Sequence, residues 1–188
     1  MESSSVLVFE NALLDRIGRF EGYSLEIDRY LTSILGDRSL TFLPRLMAEN
    51  NPKYKQLIPY VLLFQGDRLF TYVRGQPAVE QRLHKRRSIG LGGHIDYGDT
   101  TFSESPERFY YRAVRREIKE EVGIRANVEN TAIALLNDDS DEVGRVHFGV
   151  LHVCHADNDK ILIREPDIMS PQLMTIAEIT RLKVEFES

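Results

Sequence analysis

The chain has 188 residues, 42% hydrophobic and 28% charged, a composition that excludes disordered, collagen-like and disulfide-scaffold classes. At roughly 150 residues per domain, this length fits one domain with a small extension. Lys and Arg number 24 against 29 Asp and Glu, a net charge of −5, so the basic footprint of a nucleic-acid binder is missing and nucleic acid is not an expected partner. Cys154 is the single cysteine and cannot form an intramolecular disulfide, which fits a reducing compartment. The first residues carry no basic n-region and no apolar run approaches a membrane span, so a cytoplasmic location and no membrane partner are expected.

Residues 6–9 (Val-Leu-Val-Phe) predict a strand. Residues 25–35 predict a helix closed by Gly36, with Leu25, Tyr30, Leu31 and Ile34 facing inward. The segment 44–57 is polar and turn-rich and reads as a connector. Residues 58–64 and 69–74 are strand-like, and Gln65-Gly66-Asp67-Arg68 between them predicts a hairpin. A polar stretch ending in the basic run His84-Lys85-Arg86-Arg87 leads into the apolar, glycine-rich Ser88-Ile89-Gly90-Leu91-Gly92-Gly93-His94-Ile95-Asp96. The strongest helix signal is 106–122, with Ser105 as N-cap, Pro106 in the first helical position and Gly123 just past the end. Residues 132–136 predict a strand, 137–142 an acidic turn, and 143–154 a long strand with Val146, Phe148 and Val150 on one face. The tail predicts a strand at 161–163 and a helix at 176–182. Strands mixed with a few helices argue for an α/β or α+β sandwich, and the hairpin makes the sheet at least partly antiparallel.

At 100° per residue, Tyr111, Val114, Ile118 and Val122 form a core-facing stripe on the 106–122 helix. Glu117, Glu120 and Glu121 have the spacing i, i+3, i+4 and share the neighbouring face. Their mutual repulsion calls for positive charge, and a divalent cation such as Mg²⁺ or Mn²⁺ would supply it, since hard ions prefer carboxylate oxygen and bridge to phosphate. The plainer alternative is a solvated acidic face neutralised by Arg112, Arg115, Arg116 and Lys119.

The run Arg116-Glu117-Ile118-Lys119-Glu120-Glu121-Val122-Gly123-Ile124 has the pattern R-E-U-x-E-E-x-G-U, with U aliphatic, and is preceded by Gly93 and, six positions later, Asp99. This resembles the signature of the Nudix hydrolases. The resemblance implies an α/β/α sandwich around a mixed β-sheet, with 1–55 an N-terminal extension packed on a 56–188 hydrolase domain. It implies that Glu117, Glu120 and Glu121 hold Mg²⁺ or Mn²⁺, and that water attacks phosphorus in a small-molecule diphosphate linked to another moiety. The same carboxylates are then the catalytic candidates, with a general base among them or on a loop. Two departures stand out: Asp99 occupies a position where the signature has Glu, and sixteen residues separate Asp99 from Arg116 where the signature has seven. Bracing of loop on helix by Asp99 and Arg116 must therefore span a longer loop, or Glu104 or Glu107 must substitute. The N-terminal extension, residues 56–60 and Gly92-Gly93-His94-Ile95 are similar to a phosphoesterase-like subgroup of the family.

Gly92 and Gly93 would let the backbone approach metal and phosphate closely; a bare tight turn or bulge is the alternative. His94, Arg87 and Arg74 are candidate phosphate contacts, and His147 reads as a satisfied sheet histidine. Asp138, Asp139, Asp141 and Glu142 read as a solvated turn. A non-catalytic ligand-binding or regulatory domain is the alternative function, and a homodimer using the N-terminal segment is expected by analogy.

Overall fold

The computed structural model describes residues 4–75, 87–101, 104–123, 130–156, 161, 163, 164, 166 and 168–182. Lys85 and Arg86 of the basic run lie outside the described residues, as does Ile124, the last position of the signature. The chain divides into two compact units. One comprises Met1–Tyr60, Gly92–Arg115 and Ala132–His152, and the other Val61–Leu91, Arg116–Thr131 and Val153–Ser188. Residues 1–55 thus share a unit with later segments of the chain.

In the first unit, strand β1 (Ser5–Glu10) pairs antiparallel with β3 (Thr41–Pro44) on one side and with the start of β4 (Tyr54–Gln65) on the other. Flanked on both edges, β1 buries four consecutive side chains, Val6, Leu7, Val8 and Phe9, each contributing about 1.5–3 kcal/mol of burial. Val6 and Val8 pack with Ala48 of helix α3 (Arg45–Glu49), against Leu43 and Tyr54. Helix α1 (Ala12–Ile17) buries Leu13 and Leu14, and helix α2 (Ile27–Leu35) buries Tyr30, Leu31, Ile34 and Leu35. Strand β2 (Gly22–Ser24) pairs antiparallel with β8 (Asn130–Asn137). Phe148, on β9 (His147–His155), meets Phe9 and Phe20 edge-to-face, and Phe20 meets Tyr30 in the same way.

In the second unit, β5 (Arg68–Arg74) pairs antiparallel with the end of β4, with β6 (Arg87–Ser88) and with β10 (Ile168–Thr175). The predicted hairpin is present, with Gly66 at φ +59°, a turn conformation open to glycine without a Cβ penalty. Helix α5 (Ile176–Arg181) begins at a capping box in which Thr175 and Glu178 satisfy each other's backbone N–H, a local signal that lies in the sequence itself. The remaining short strand, β7, is Leu91–Gly92.

The α/β class is as expected, with some elements differing in detail. Leu25 precedes α2 and is 69% exposed, because the helix starts two residues later than its apolar pattern predicts. Segment 44–57 contains α3 and the first turns of β4, whose Lys55, Gln56 and Leu57 are fully buried. A 3-10 turn, Gly144–Val146, precedes β9. The alternation then runs as predicted through buried Phe148 and Val150 and continues to His152 and Cys154. Of 161–163, Ile163 forms only an isolated bridge with Val122. Strand β10 escapes prediction because it contains Pro171 and a break in register between Met169 and Gln172, with Ser170 at φ +45°. A proline in a polar run argues against a strand except at an edge or bulge.

Candidate functional site

Helix α4 (Pro106–Glu121) carries the glutamate run. In its first turn the N–H groups of Arg108 and Phe109 donate to the carbonyl of Ser105, and Pro106 has no N–H to satisfy. The buried stripe consists of Tyr110, Ala113, Val114, Ile118 and Val122, joined by Phe109 at its start. Tyr111, predicted to face inward, is only half-buried, and the fully buried neighbour is Tyr110. This rotation of the stripe changes the place of the glutamates. At 100° per residue, Glu117 and Glu121 fall in line with Tyr110 and Val114, and Glu120 falls at the edge. Accordingly the side chain of Glu117 is 12% exposed and that of Glu120 is 53% exposed. A carboxylate on the apolar side of a helix is costly unless a cation or strong donors face it.

Arg116 provides one such donor. Its Nη1 donates to Oε1 of Glu117 at 2.9 Å and to Oε2 of Glu120 at 2.8 Å, holding two of the three carboxylates side by side. The donor set consists of hard oxygens and suits Mg²⁺ or Mn²⁺ in chemistry. Among the described residues, no three His, Cys, Asp or Glu side chains already converge as a preformed metal cage. At the end of the helix, the N–H of Arg164 donates to the carbonyl of Glu121 at 3.1 Å, placing a cationic residue at the negative end of the helix dipole.

The glycine loop belongs to the first unit. A Cβ on Gly92 would come within 2.3 Å of the Pro59 carbonyl oxygen, so this glycine permits close passage of two backbones. His94 lies largely buried, its ring 6.0 Å from that of His147. Burial, then Arg45 and His147, push it down to about 3, so near neutral pH it carries no charge. His147 is satisfied as expected, pairing through Nδ1 with the Val143 carbonyl at 2.7 Å. Asp99 is 4% exposed. Its carboxylate accepts the N–H of Asp96 in a capping box around the 3-10 turn Tyr97–Asp99. Arg112, which the sequence did not single out as a contact, donates from Nη1 to the Asp99 carbonyl at 2.9 Å and from Nη2 to Glu104 at 2.5 Å.

In the second unit, Arg74 and Arg87 occupy opposite faces of the β5–β6 pair. Val73 is opposite Arg87 and Tyr72 opposite Ser88, so by the two-residue period Thr71, Val73 and Arg87 share one face while Tyr72 and Arg74 share the other. Arg87 Nη1 donates to Thr71 Oγ1 at 3.0 Å and to the Ser170 carbonyl at 3.4 Å. The Arg74 guanidinium lies 5.6 Å from the Tyr72 ring centroid.

The acidic turn does more than face solvent. Asp139 accepts from Lys55 Nζ at 2.8 Å and from Arg19 at 3.2 Å. Lys55 is fully buried and also donates to the carbonyls of Gly144 and His147, so all three of its protons have acceptors. Burial nevertheless pulls its pKa below the usual lysine value, the first cause outweighing the Asp139 hydrogen bond. The expected solvated turn is present at Asp138, Asp141 and Glu142, which are exposed, but not at Asp139, because β4 places Lys55 inside against it, a fact invisible in the composition of 138–142.

Comparison with known proteins places these features. No family model matches the chain. Protein YmaB of Bacillus subtilis (strain 168) is 31% identical over 137 residues, covering 70% of this chain and 65% of the relative's length. Tm1382, a candidate Nudix hydrolase of known crystal structure, is 28% identical, with a TM-score of 0.79 over 98% of this chain and 92% of its own. The Nudix domain of Shewanella oneidensis NrtR, solved with ADP ribose, is 16% identical and shares the fold at a TM-score of 0.50, over 68% of this chain and 77% of its own. With the R-E-U-x-E-E run on helix α4 and this likeness to Tm1382 along nearly its whole length, the chain has the fold of the Nudix hydrolases and is similar to that family.

Proposed function

We propose that the protein is a metal-dependent hydrolase that cleaves a diphosphate, or a phosphoester, linked to another moiety in a small molecule, by attack of water at phosphorus. The observation that supports this most is the pair Glu117 and Glu121 on the apolar stripe of α4, with Glu120 beside them. Three carboxylates on one helix, Glu117 buried and Glu121 half-buried, are expensive to keep without a cation. Glu117, Glu120 and Glu121 would hold Mg²⁺ or Mn²⁺. When bound, the ion supplies charge neutralisation at phosphate and lowers the pKa of water. Arg116 orients Glu117 and Glu120 through hydrogen bonds that take one oxygen of each.

Gly92, Gly93 and His94 remain the loop candidates for the phosphates, His94 as a neutral N–H donor. Arg74 and Arg87 face opposite ways, so only one of them serves a single phosphate chain, and alanine variants of each identify which. Asp99 and Arg116 are assigned to bracing of loop and helix. Membership of the phosphoesterase-like subgroup, a cytoplasmic location and a homodimer belong to the same reading. Among the described residues no helix is long and apolar enough to cross a membrane.

The test is Mg²⁺-dependent turnover of a panel of nucleoside diphosphates linked to sugars, dinucleoside polyphosphates, nucleoside triphosphates and prenyl diphosphates. Glu120→Gln should lower the rate by about a hundredfold or more, as loss of an electrostatic group at the reacting phosphate does, with folding intact because Glu120 is exposed. Activity retained above about a tenth, less than about 1.4 kcal/mol of transition-state stabilisation lost, refutes the metal assignment. Tight binding of one compound with turnover of none favours a ligand-sensing domain.

A further inference from the structure

Sixteen residues separate Asp99 from Arg116, and part of that length is helix: α4 starts at Pro106, ten residues ahead of Arg116. Arg112 projects from this leading stretch. Its guanidinium reaches back to both ends of the connecting segment, the Asp99 carbonyl and the Glu104 carboxylate. Glu104 is 13% exposed against 39% for Arg112, and its other oxygen accepts from Thr101 Oγ1 at 2.9 Å. On the opposite side the loop is tied to the N-terminal strand. Leu7 N–H donates to the Ile95 carbonyl at 2.9 Å, and Val6 forms a bridge with Asp96. Strand β1 and the Asp96–Asp99 capping box hold residues 95–99, and Arg112 connects them to the helix.

We propose that Arg112 is a positioning residue of the lengthened signature loop, its fork tying the Asp99 carbonyl and the Glu104 carboxylate to the helix that bears Glu117, Glu120 and Glu121. The proposal rests on the reading of those glutamates as the metal site. A longer loop has more conformations to lose on ordering, and a planar guanidinium with two acceptors in fixed directions removes them in a way that a lysine cannot. Arg112→Lys keeps the charge near Glu104 but loses the simultaneous bond to Asp99, so it serves as the graded variant.

Two readouts on the full chain test this in wild type, Arg112→Ala, Arg112→Lys and Glu104→Gln. The first is amide hydrogen exchange at Asp99, Thr100 and Glu104, whose N–H groups bond the carbonyls of Asp96, Tyr97 and Thr101 at 2.9, 3.1 and 3.2 Å. The second is Mn²⁺ titration followed by the electron spin resonance of the free ion. Exchange should quicken about tenfold in Arg112→Ala, on the order expected for loss of charge-assisted hydrogen bonds, and less in Arg112→Lys and Glu104→Gln. The Mn²⁺ midpoint should rise about tenfold in Arg112→Ala, the low end of the range seen when an outer partner of a metal site is removed. Unchanged exchange in Arg112→Ala overturns the clamp, and faster exchange with an unchanged Mn²⁺ midpoint overturns the positioning role. A wild type that binds no Mn²⁺ refutes the metal reading instead, and the exchange data then decide the clamp alone. If Arg112→Ala does not fold, Arg112→Lys and Glu104→Gln carry the same comparison.

Discussion

His152 gives a sharp test of the packing behind the signature helix. It is fully buried on β9, its Nε2 lies 2.7 Å from the Tyr110 hydroxyl of α4, and among the described residues its Nδ1 has no hydrogen-bond partner. Burial alone pulls its pKa from 6.5 to about 4. Between those values the unfolded chain binds a proton that the native protein refuses, so stability falls as pH drops through the window and this loss ends below about pH 4. The slope is about 1.4 kcal/mol per pH unit and the total about 3.4 kcal/mol, two and a half pH units at 1.36 each. His152→Gln removes the titration and keeps a polar partner for Tyr110. It should cost about 1–2 kcal/mol at pH 7 through imperfect hydrogen bonding. The wild-type and variant curves, measured by urea unfolding from pH 7.5 to 4, should then converge and cross at about pH 5–6. His94, held at about 3, titrates in both proteins and cancels in the difference. Parallel curves would show that His152 titrates normally in the native state and would refute the argument.

Other consequences are simpler to measure. Lys55→Met should destabilise the protein by about 3 kcal/mol, the low end for breaking a buried ion pair, because Asp139 keeps Arg19 and is 34% exposed; a urea midpoint equivalent to less than about 1 kcal/mol would show that the pair contributes little. Gly92→Ala should cost about 1–3 kcal/mol or more through forced backbone movement, since its Cβ would sit 2.3 Å from the Pro59 carbonyl oxygen, and an unchanged melting temperature would contradict the close approach.

What could be read from the chain alone was the local part. The hairpin around Gly66, the final helix from Ile176, the alternation of Phe148 and Val150, and the boundaries of α4 all depend on residues within a few positions of one another, where backbone preference and periodicity act directly. The glutamate run was legible for the same reason: it is one helical stretch. The side of the helix on which Glu117 lies was not, because Tyr110 and Ala113 pack inside and Tyr111 does not, a choice made by the volume available in the core. Lys55 and Asp139 are 84 positions apart, and nothing in a polar segment or an acidic turn says that the first is buried and the second anchors it. Arg112 likewise acquires its partners only when the chain doubles back to Asp99 and Glu104. Helical spacing determined the carboxylate stripe, whereas long-range packing decided which of its members turn from water and which residues hold the neighbouring loop in place.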